Sequence, residues 1–231
     1  MRLLGSVLAA LCALPVAAQQ ISSAHFIEPT ERYSHAILGD GIEWGALRFH
    51  VAGQGLVTVR LPLDHVFEDV APRLWDVDGD GDFEVAVVET DMARGAALAI
   101  YGPKGKIAET PHIGQTHRWL APIGAADLDG DGAVEIAYVD RPHLAKTVRI
   151  WRFEDGKLNA VADLPGFTNH RIGERDIAGG MRICAGAPQM IVATADWSRV
   201  AAITFGPEGF AHTDMGPHSG RGSFAAAMAC N

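Results

Sequence analysis

Long apolar runs are scarce in this 231-residue chain. The one extended run, Leu3 to Val16, follows Arg2 and ends in the small residues Val16-Ala17-Ala18. A membrane helix needs about 18 or more apolar residues, so this run reads as a secretory leader over residues 1–18, cleaved near Ala18. A lipoprotein leader modified at Cys12 is the competing reading. Leu11, standing where a small residue is needed, disfavours it. No other stretch is apolar enough for a transmembrane segment, so the mature chain is expected to be soluble and extracytoplasmic, periplasmic or secreted.

Cysteine is also sparse. Of three, Cys12 falls in the leader, leaving Cys184 and Cys230. An even pair in an oxidising compartment is expected to form a disulfide; two separate buried thiols are the alternative. Basic residues are short as well, 19 against 28 acidic, for a net charge of −9. That balance argues against nucleic acid as a partner, because phosphate binding needs a basic face. Beyond the leader, no segment of helical period and useful length appears. Nucleophile and nucleotide signatures are missing too: there is no Gly-Xaa-Ser-Xaa-Gly, no His-Glu-Xaa-Xaa-His and no phosphate loop.

What the chain does have is repetition. Asp76-Val77-Asp78-Gly79-Asp80-Gly81-Asp82-Phe83-Glu84 runs into the apolar Val85 to Val88. A near copy, Asp127-Leu128-Asp129-Gly130-Asp131-Gly132-Ala133-Val134-Glu135, starts 51 residues later and runs into Ile136 to Val139. Nine of the 28 acidic residues sit in these two loops. Four segments read as β-hairpins: Ala46 to Pro62, Ala96 to Pro111, Thr147 to Pro165 and Val200 to Pro217. Their closing prolines are spaced 49, 54 and 52 residues apart. Glycine turns between β-branched or aromatic flanks support each hairpin.

With a strand before and after each acidic loop, a unit is four short strands in about 50 residues, the size of a propeller blade. A third unit is degenerate. Aligning Gln189 with Glu84 and Glu135 puts Met181, Ile183 and Ala185 where the aspartates stood, and Cys184 inside the dead loop. A covalent staple is expected there in place of a metal. Phe224 to Ala229 resembles a strand that would precede a loop. The expected fold is therefore all-β: a small propeller over residues 35–231, of four blades with four antiparallel strands each, closed by the C-terminal strand. A five-bladed ring or an open array is the alternative. Residues 19–34 read as an N-terminal extension.

Carboxylates at alternating positions around a glycine turn suit calcium, which takes six to eight oxygens at about 2.3–2.6 Å. Asp76, Asp78 and Asp80 would give side-chain oxygens, Asp82 its carbonyl, and Glu84 closes the sphere. Asp127, Asp129, Asp131, Ala133 and Glu135 match them in the second loop. Gly81 and Gly132 would allow the sharp turn. Two structural Ca²⁺ sites are expected, and zinc is disfavoured in loops without His or Cys. A solvated turn without metal would crowd its carboxylates. The twelfth positions, Val87 and Tyr138, exclude an EF-hand. The loops resemble those of FG-GAP or VCBS-type repeat proteins. That resemblance implies a β-propeller with structural calcium between the first two strands of a blade, in secreted or surface proteins that often serve as binding scaffolds.

Chemistry is harder to place. His65, His117, Arg118, His170, Arg171, His218 and Arg221 stand just before the strands that lead into each unit. In a propeller that position is near the mouth of the central channel. They could form a ring that holds an anionic ligand, or they could tie one blade to the next. Glu43 and Trp44 could bind sugar or simply pack. Glu174 and Asp176 near His170 could suggest acid–base pairing. The reading adopted is a non-catalytic, calcium-stabilised scaffold for a protein or small-molecule partner. A hydrolase with a His/Arg/Asp site at the channel mouth is the alternative, and a structural role in an envelope assembly is a third.

Overall fold

The computed structural model describes residues 20–230, so the leader expected over residues 1–18 lies outside the described part. β1 (Ile21–Thr30) and β3 (Gly55–Arg60) flank β2 (Glu43–Val51), both antiparallel to it. β4 (His65–Phe67) and β5 (Arg73–Trp75) share one edge of β6 (Glu84–Asp91), and β7 (Gly95–Gly102) and β8 (Gly105–Glu109) follow on its other side. One pairing, Trp44 with Phe67, joins β2 to β4 and makes these eight strands a single sheet. The second sheet is an antiparallel meander of β9 (Leu120–Ala126), β10 (Glu135–Asp140), β11 (Thr147–Glu154) and β12 (Lys157–Pro165). In the third, β13 (Phe167–Thr168) and β14 (Gly180–Cys184) share one edge of β15 (Ala187–Thr194), ahead of β16 (Arg199–Gly206) and β17 (Gly209–Pro217). The four hairpins read from the sequence are β2–β3, β7–β8, β11–β12 and β16–β17. The architecture is nearly all-β and propeller-like.

The core explains why β6, β10 and β15 read as unbroken apolar runs. In a strand, alternate side chains face opposite ways. Val85 and Val87 pack with Leu47, Phe49 and Phe67 of the N-terminal strands, while Ala86 and Val88 face Leu120, Ile136 and Tyr138 of the second sheet. Ala137 and Val139 turn to Met190 and Val192 of the third sheet. β6 and β10 are thus buried on both faces between neighbouring sheets, and β15 packs one face on the second sheet.

The last face is closed by an element the sequence reading missed. Ile191, Ala193, Val200 and Ala202 are covered by Phe224 and Ala227 of α1 (Arg221–Met228), an α-helix. The expected closure by a C-terminal strand is overturned. Ala225, Ala226 and Ala227 favour helix over strand, since alanine keeps helical geometry at least cost and offers little to a pleated surface. The spacing from Phe224 to Ala227 puts both on one helical face. Residues 19–34, read as an extension, contribute β1, so the first sheet begins at Ile21 and its added strand comes from the N-terminal side.

The degenerate third loop is also shorter than expected. Cys184 pairs with Ala187, leaving only Ala185 and Gly186 as a turn, at φ 51° and 82°. Two positive φ values suit the tight hairpin turn that matches strand twist. Cys184 is bonded to Cys230, with Cα atoms 5.6 Å apart, and pins the end of α1 to this hairpin. Replacing Cys184 by Ser should lower stability by about 2–4 kcal/mol. Phe224→Ala, which keeps the disulfide, should cost about 3–5 kcal/mol through the lost cap. Urea unfolding of both variants measures this; Phe224→Ala unfolding like wild type would show that the helix does not cover the third sheet.

Candidate functional site

Both acidic loops fold the same way. Asp76 accepts the Gly79 N–H at 2.8 Å and the Gly81 N–H at 3.1 Å; Asp127 accepts those of Gly130 and Gly132 at 2.7 and 3.0 Å. Asp78 and Asp80 each take the N–H two residues on, and Asp129 and Asp131 repeat this. Glu84 accepts the Val77 N–H at 3.2 Å and Glu135 the Leu128 N–H at 2.8 Å. Gly81 and Gly132 both stand at φ 91°, in the left-handed region the turn needs. Val77 and Leu128 are buried in the cores on either side and anchor each loop. Oxygens of Asp76, Asp78 and Glu84 converge within 4.8 Å of one another, as do those of Asp127, Asp129 and Glu135. Asp82 and Ala133 share the position left without a common side-chain donor.

The loops differ in one partner. Arg152 of β11 stands opposite Glu135. Its guanidinium reaches Asp129 Oδ2 at 2.9 Å, Asp131 Oδ2 at 2.9 Å and Glu135 Oε1 at 2.6 Å. Those are the three oxygens that the backbone N–H groups leave free. In the first loop the equivalent oxygens of Asp78, Asp80 and Glu84 accept no hydrogen bond among the described residues. Val85 pairs with Tyr101, so the residue one step on, facing Glu84, is Gly102. A glycine stands where the second loop has its arginine. Burial, with the neighbouring aspartate charges, pushes the Glu84 carboxyl up to about 7. Glu135 is raised by burial too, and Arg152 pulls it back.

The seven residues expected at a channel mouth do not form one ring. Arg171, His218 and Arg221 line a cleft of about 190 Å³ with Trp197, Asp176 and Phe224. The Arg171 guanidinium lies 4.2 Å above the Trp197 ring, and the His218 ring meets Trp197 and Phe224 at 5.2 and 5.4 Å. Arg221 is bonded to Asp176. Neither the Arg171 guanidinium nor the His218 ring has a hydrogen-bond partner among the described residues. His117 and Arg118 lie apart: His117 N–H donates to the Tyr33 hydroxyl at 2.8 Å, and its ring meets that of His35 at 5.1 Å. His170 is buried, 3.0 Å from His143 and packed 4.8 Å from Trp119. Its Nε2 meets the Glu174 carbonyl, not a carboxylate, so the suggested acid–base pair does not form. Burial brings His143 down to about 4. His65 lies with Asp91 and His112 at another edge.

Trp44 stacks 6.3 Å from Phe26 and also lines an open groove of about 310 Å³ with Asp40 and Arg175. Glu43 beside it is only 2 % exposed. Sequence reasoning missed Arg152, whose role depends on cross-strand register, and Trp197, which no repeat marked.

Residues 76–138 match the family model of an FG-GAP-like repeat. That stretch contains both acidic loops, so the chain carries an FG-GAP-type repeat there. No curated protein matches the chain. Among the described residues, no helix is long and apolar enough to cross a membrane.

Burial, aided by the charges of Glu68, Asp40 and Asp69, raises Glu43 from 4.5 to about 9. A folded-state pKa above the unfolded one contributes stability below the lower value and loses it as pH rises through the higher. Unfolding stability should therefore decline between about pH 4.5 and 9, and Glu43→Gln should flatten that decline. Urea midpoints across the range check it; equal slopes in both proteins would remove Glu43 as the cause.

Proposed function

We propose that this chain is a non-catalytic binding module of the extracytoplasmic space, stiffened by calcium, whose Arg171–Trp197 cleft receives the acidic group of its ligand. The carrying observation is the Arg171 guanidinium, set 4.2 Å over the Trp197 ring with its donors unpaired among the described residues. A planar guanidinium offers a fork of N–H groups that matches a carboxylate, and stacking holds it in place before the ligand arrives. His218, on the same wall, adds a ring without a hydrogen-bond partner among the described residues. A hydrolase reading has less support. Asp176 is engaged by Arg221, and His218 meets aromatic rings, so no base–nucleophile pair is assembled in this cleft among the described residues.

Calcium fits the first loop by donor chemistry: all its side-chain donors are oxygens, and one oxygen each of Asp78, Asp80 and Glu84 is left free by the backbone. The second loop has the same donors, but Arg152 already supplies a positive charge to them. Calcium there must displace the guanidinium. We therefore assign the tight ion to the Asp76–Glu84 loop and a weaker one to Asp127–Glu135. The Cys184–Cys230 disulfide and the leader expected over residues 1–18 support an oxidising compartment.

Calcium titration by calorimetry should find one tight site in wild type and two in Arg152→Gln. Two equal sites in wild type would refute the assignment. At calcium near a hundred times Kd, about 2.7 kcal/mol of stabilisation is expected, and chelation should lower Tm by about 5–10 °C.

For the cleft, citrate serves as the acidic probe. Titration followed by NMR should shift the Trp197 indole N–H and the Arg171 side chain. Arg171→Ala should weaken binding about tenfold to a hundredfold, the range of a lost charged hydrogen bond. Unshifted Trp197 signals at millimolar citrate would reject the cleft as an acid-binding seat.

A further inference from the structure

Away from the loops and the cleft, one cluster combines nitrogen and oxygen donors. His65 opens β4 and stands directly across from Asp91, the last residue of β6. His112 lies just past β8 at the same edge. One ring nitrogen of each histidine and a carboxylate oxygen of Asp91 lie within 4.8 Å of one another. His65 Nε2 is 3.7 Å from Asp91 Oδ2, and the two imidazole rings meet edge to face at 6.0 Å.

Both rings are oriented from behind. His65 Nδ1 is 2.8 Å from Asp64 Oδ1, and His112 Nδ1 is 2.7 Å from the Gly95 carbonyl. A proton donated from Nδ1 to an oxygen fixes the tautomer and leaves the Nε2 lone pair exposed, as in the carboxylate–histidine and carbonyl–histidine pairs behind metal ligands. Neither Nε2 has a hydrogen-bond partner among the described residues.

The frame under the rings is tight. Arg32 Nε donates to the His65 carbonyl at 3.1 Å. Ile113 N–H and Gly114 N–H, next to His112, donate to the carbonyls of Ala96 and Arg94 at 3.1 and 2.7 Å. Gly95 stands at φ +79°, where a Cβ would lie 2.3 Å from the Gln115 carbonyl oxygen and 2.9 Å from that of Arg118. Backbone can approach this closely only over glycine, and that approach holds the His112 segment against the β6–β7 turn.

We propose that His65, Asp91 and His112 bind one divalent transition-metal ion of zinc's class, at a site separate from the acidic loops. Imidazole donors select zinc, copper or nickel over calcium and magnesium, which prefer oxygen alone. Inward movement of the two rings brings the donors to zinc's bond lengths of about 2.0–2.2 Å. Three protein ligands leave a fourth position for water or for a donor on a bound ligand. Arg94 Nε, 2.6 Å from Asp91 Oδ2, is the carboxylate's partner without metal. Its side chain is 58 % exposed, so a bound ion would displace it toward solvent. The ion would tie β4, the end of β6 and the segment after β8 into one unit.

The test uses the full chain saturated with calcium, so that the acidic loops are filled, and titrates Zn²⁺ against a chromophoric chelator. Wild type should take up one equivalent. His112→Gln should bind about a hundredfold more weakly, and Asp64→Asn, which alters only the partner behind His65, about tenfold to a hundredfold more weakly. Thermal scans without metal establish that each variant folds. Co²⁺ reads the site without any variant: intense visible bands of four-coordinate cobalt in wild type support it. Weak six-coordinate bands, or zinc affinities unchanged in both His112→Gln and Asp64→Asn, would overturn it.

Discussion

The two-sided burial of β6, β10 and β15 is the constraint on which the rest depends. Every side chain from Glu84 to Asp91 and from Glu135 to Asp140 is buried. A slip of one residue would exchange the faces of the whole strand, turning Val85 and Val87 toward the second sheet in place of Ala86 and Val88. Register must therefore be fixed where the strand begins. Glu84 and Glu135 do this by accepting the N–H of Val77 and Leu128 across the loop. The acidic loop is thus part of the packing machinery. It holds a tight turn at the start of a strand that cannot move.

This accounts for what the sequence made legible. Loops and hairpins rest on local chemistry: glycines at positive φ, alternating carboxylates and β-branched flanks, all visible within about ten residues. Double burial also shows locally, as apolar runs without alternation. The closing of the last face could not be read in the same way. Phe224 to Met228 is apolar at every position except that alanine, indifferent to burial, fills most of it. Whether such a run forms a strand or a helix turns on what it lies against. Against Ile191, Ala193, Val200 and Ala202, two contacts three residues apart suffice for a helix. Arg152 escaped for a related reason. It lies 17 residues beyond Glu135, and only the β10–β11 register brings the two face to face. The scatter of the seven His and Arg residues has the same origin, since equal places in a repeat do not share surroundings when the units are capped by different elements.

The three units can be ordered by how they hold the same corner. The first has a full acidic loop, a buried Glu84 and Gly102 across from it, and among the described residues no cationic side chain pairs with the cluster. In the second, Arg152 satisfies the three oxygens the backbone leaves free. The third has lost the loop; Gln189, where the glutamate stood, accepts from Arg182 Nε at 2.8 Å, and the turn is reduced to Ala185 and Gly186. A neutral amide needs no counter-charge, and a two-residue turn needs no ion to hold it. The disulfide at Cys184 then does a different job from the one its place in the repeat suggested. It fastens the helix that covers the third sheet, not the two limbs of a loop. One strand-start problem thus has three physical solutions in a single chain. The unpaired negative charge at this corner falls along the series, from the open first cluster to the Arg152-paired second and the neutral third.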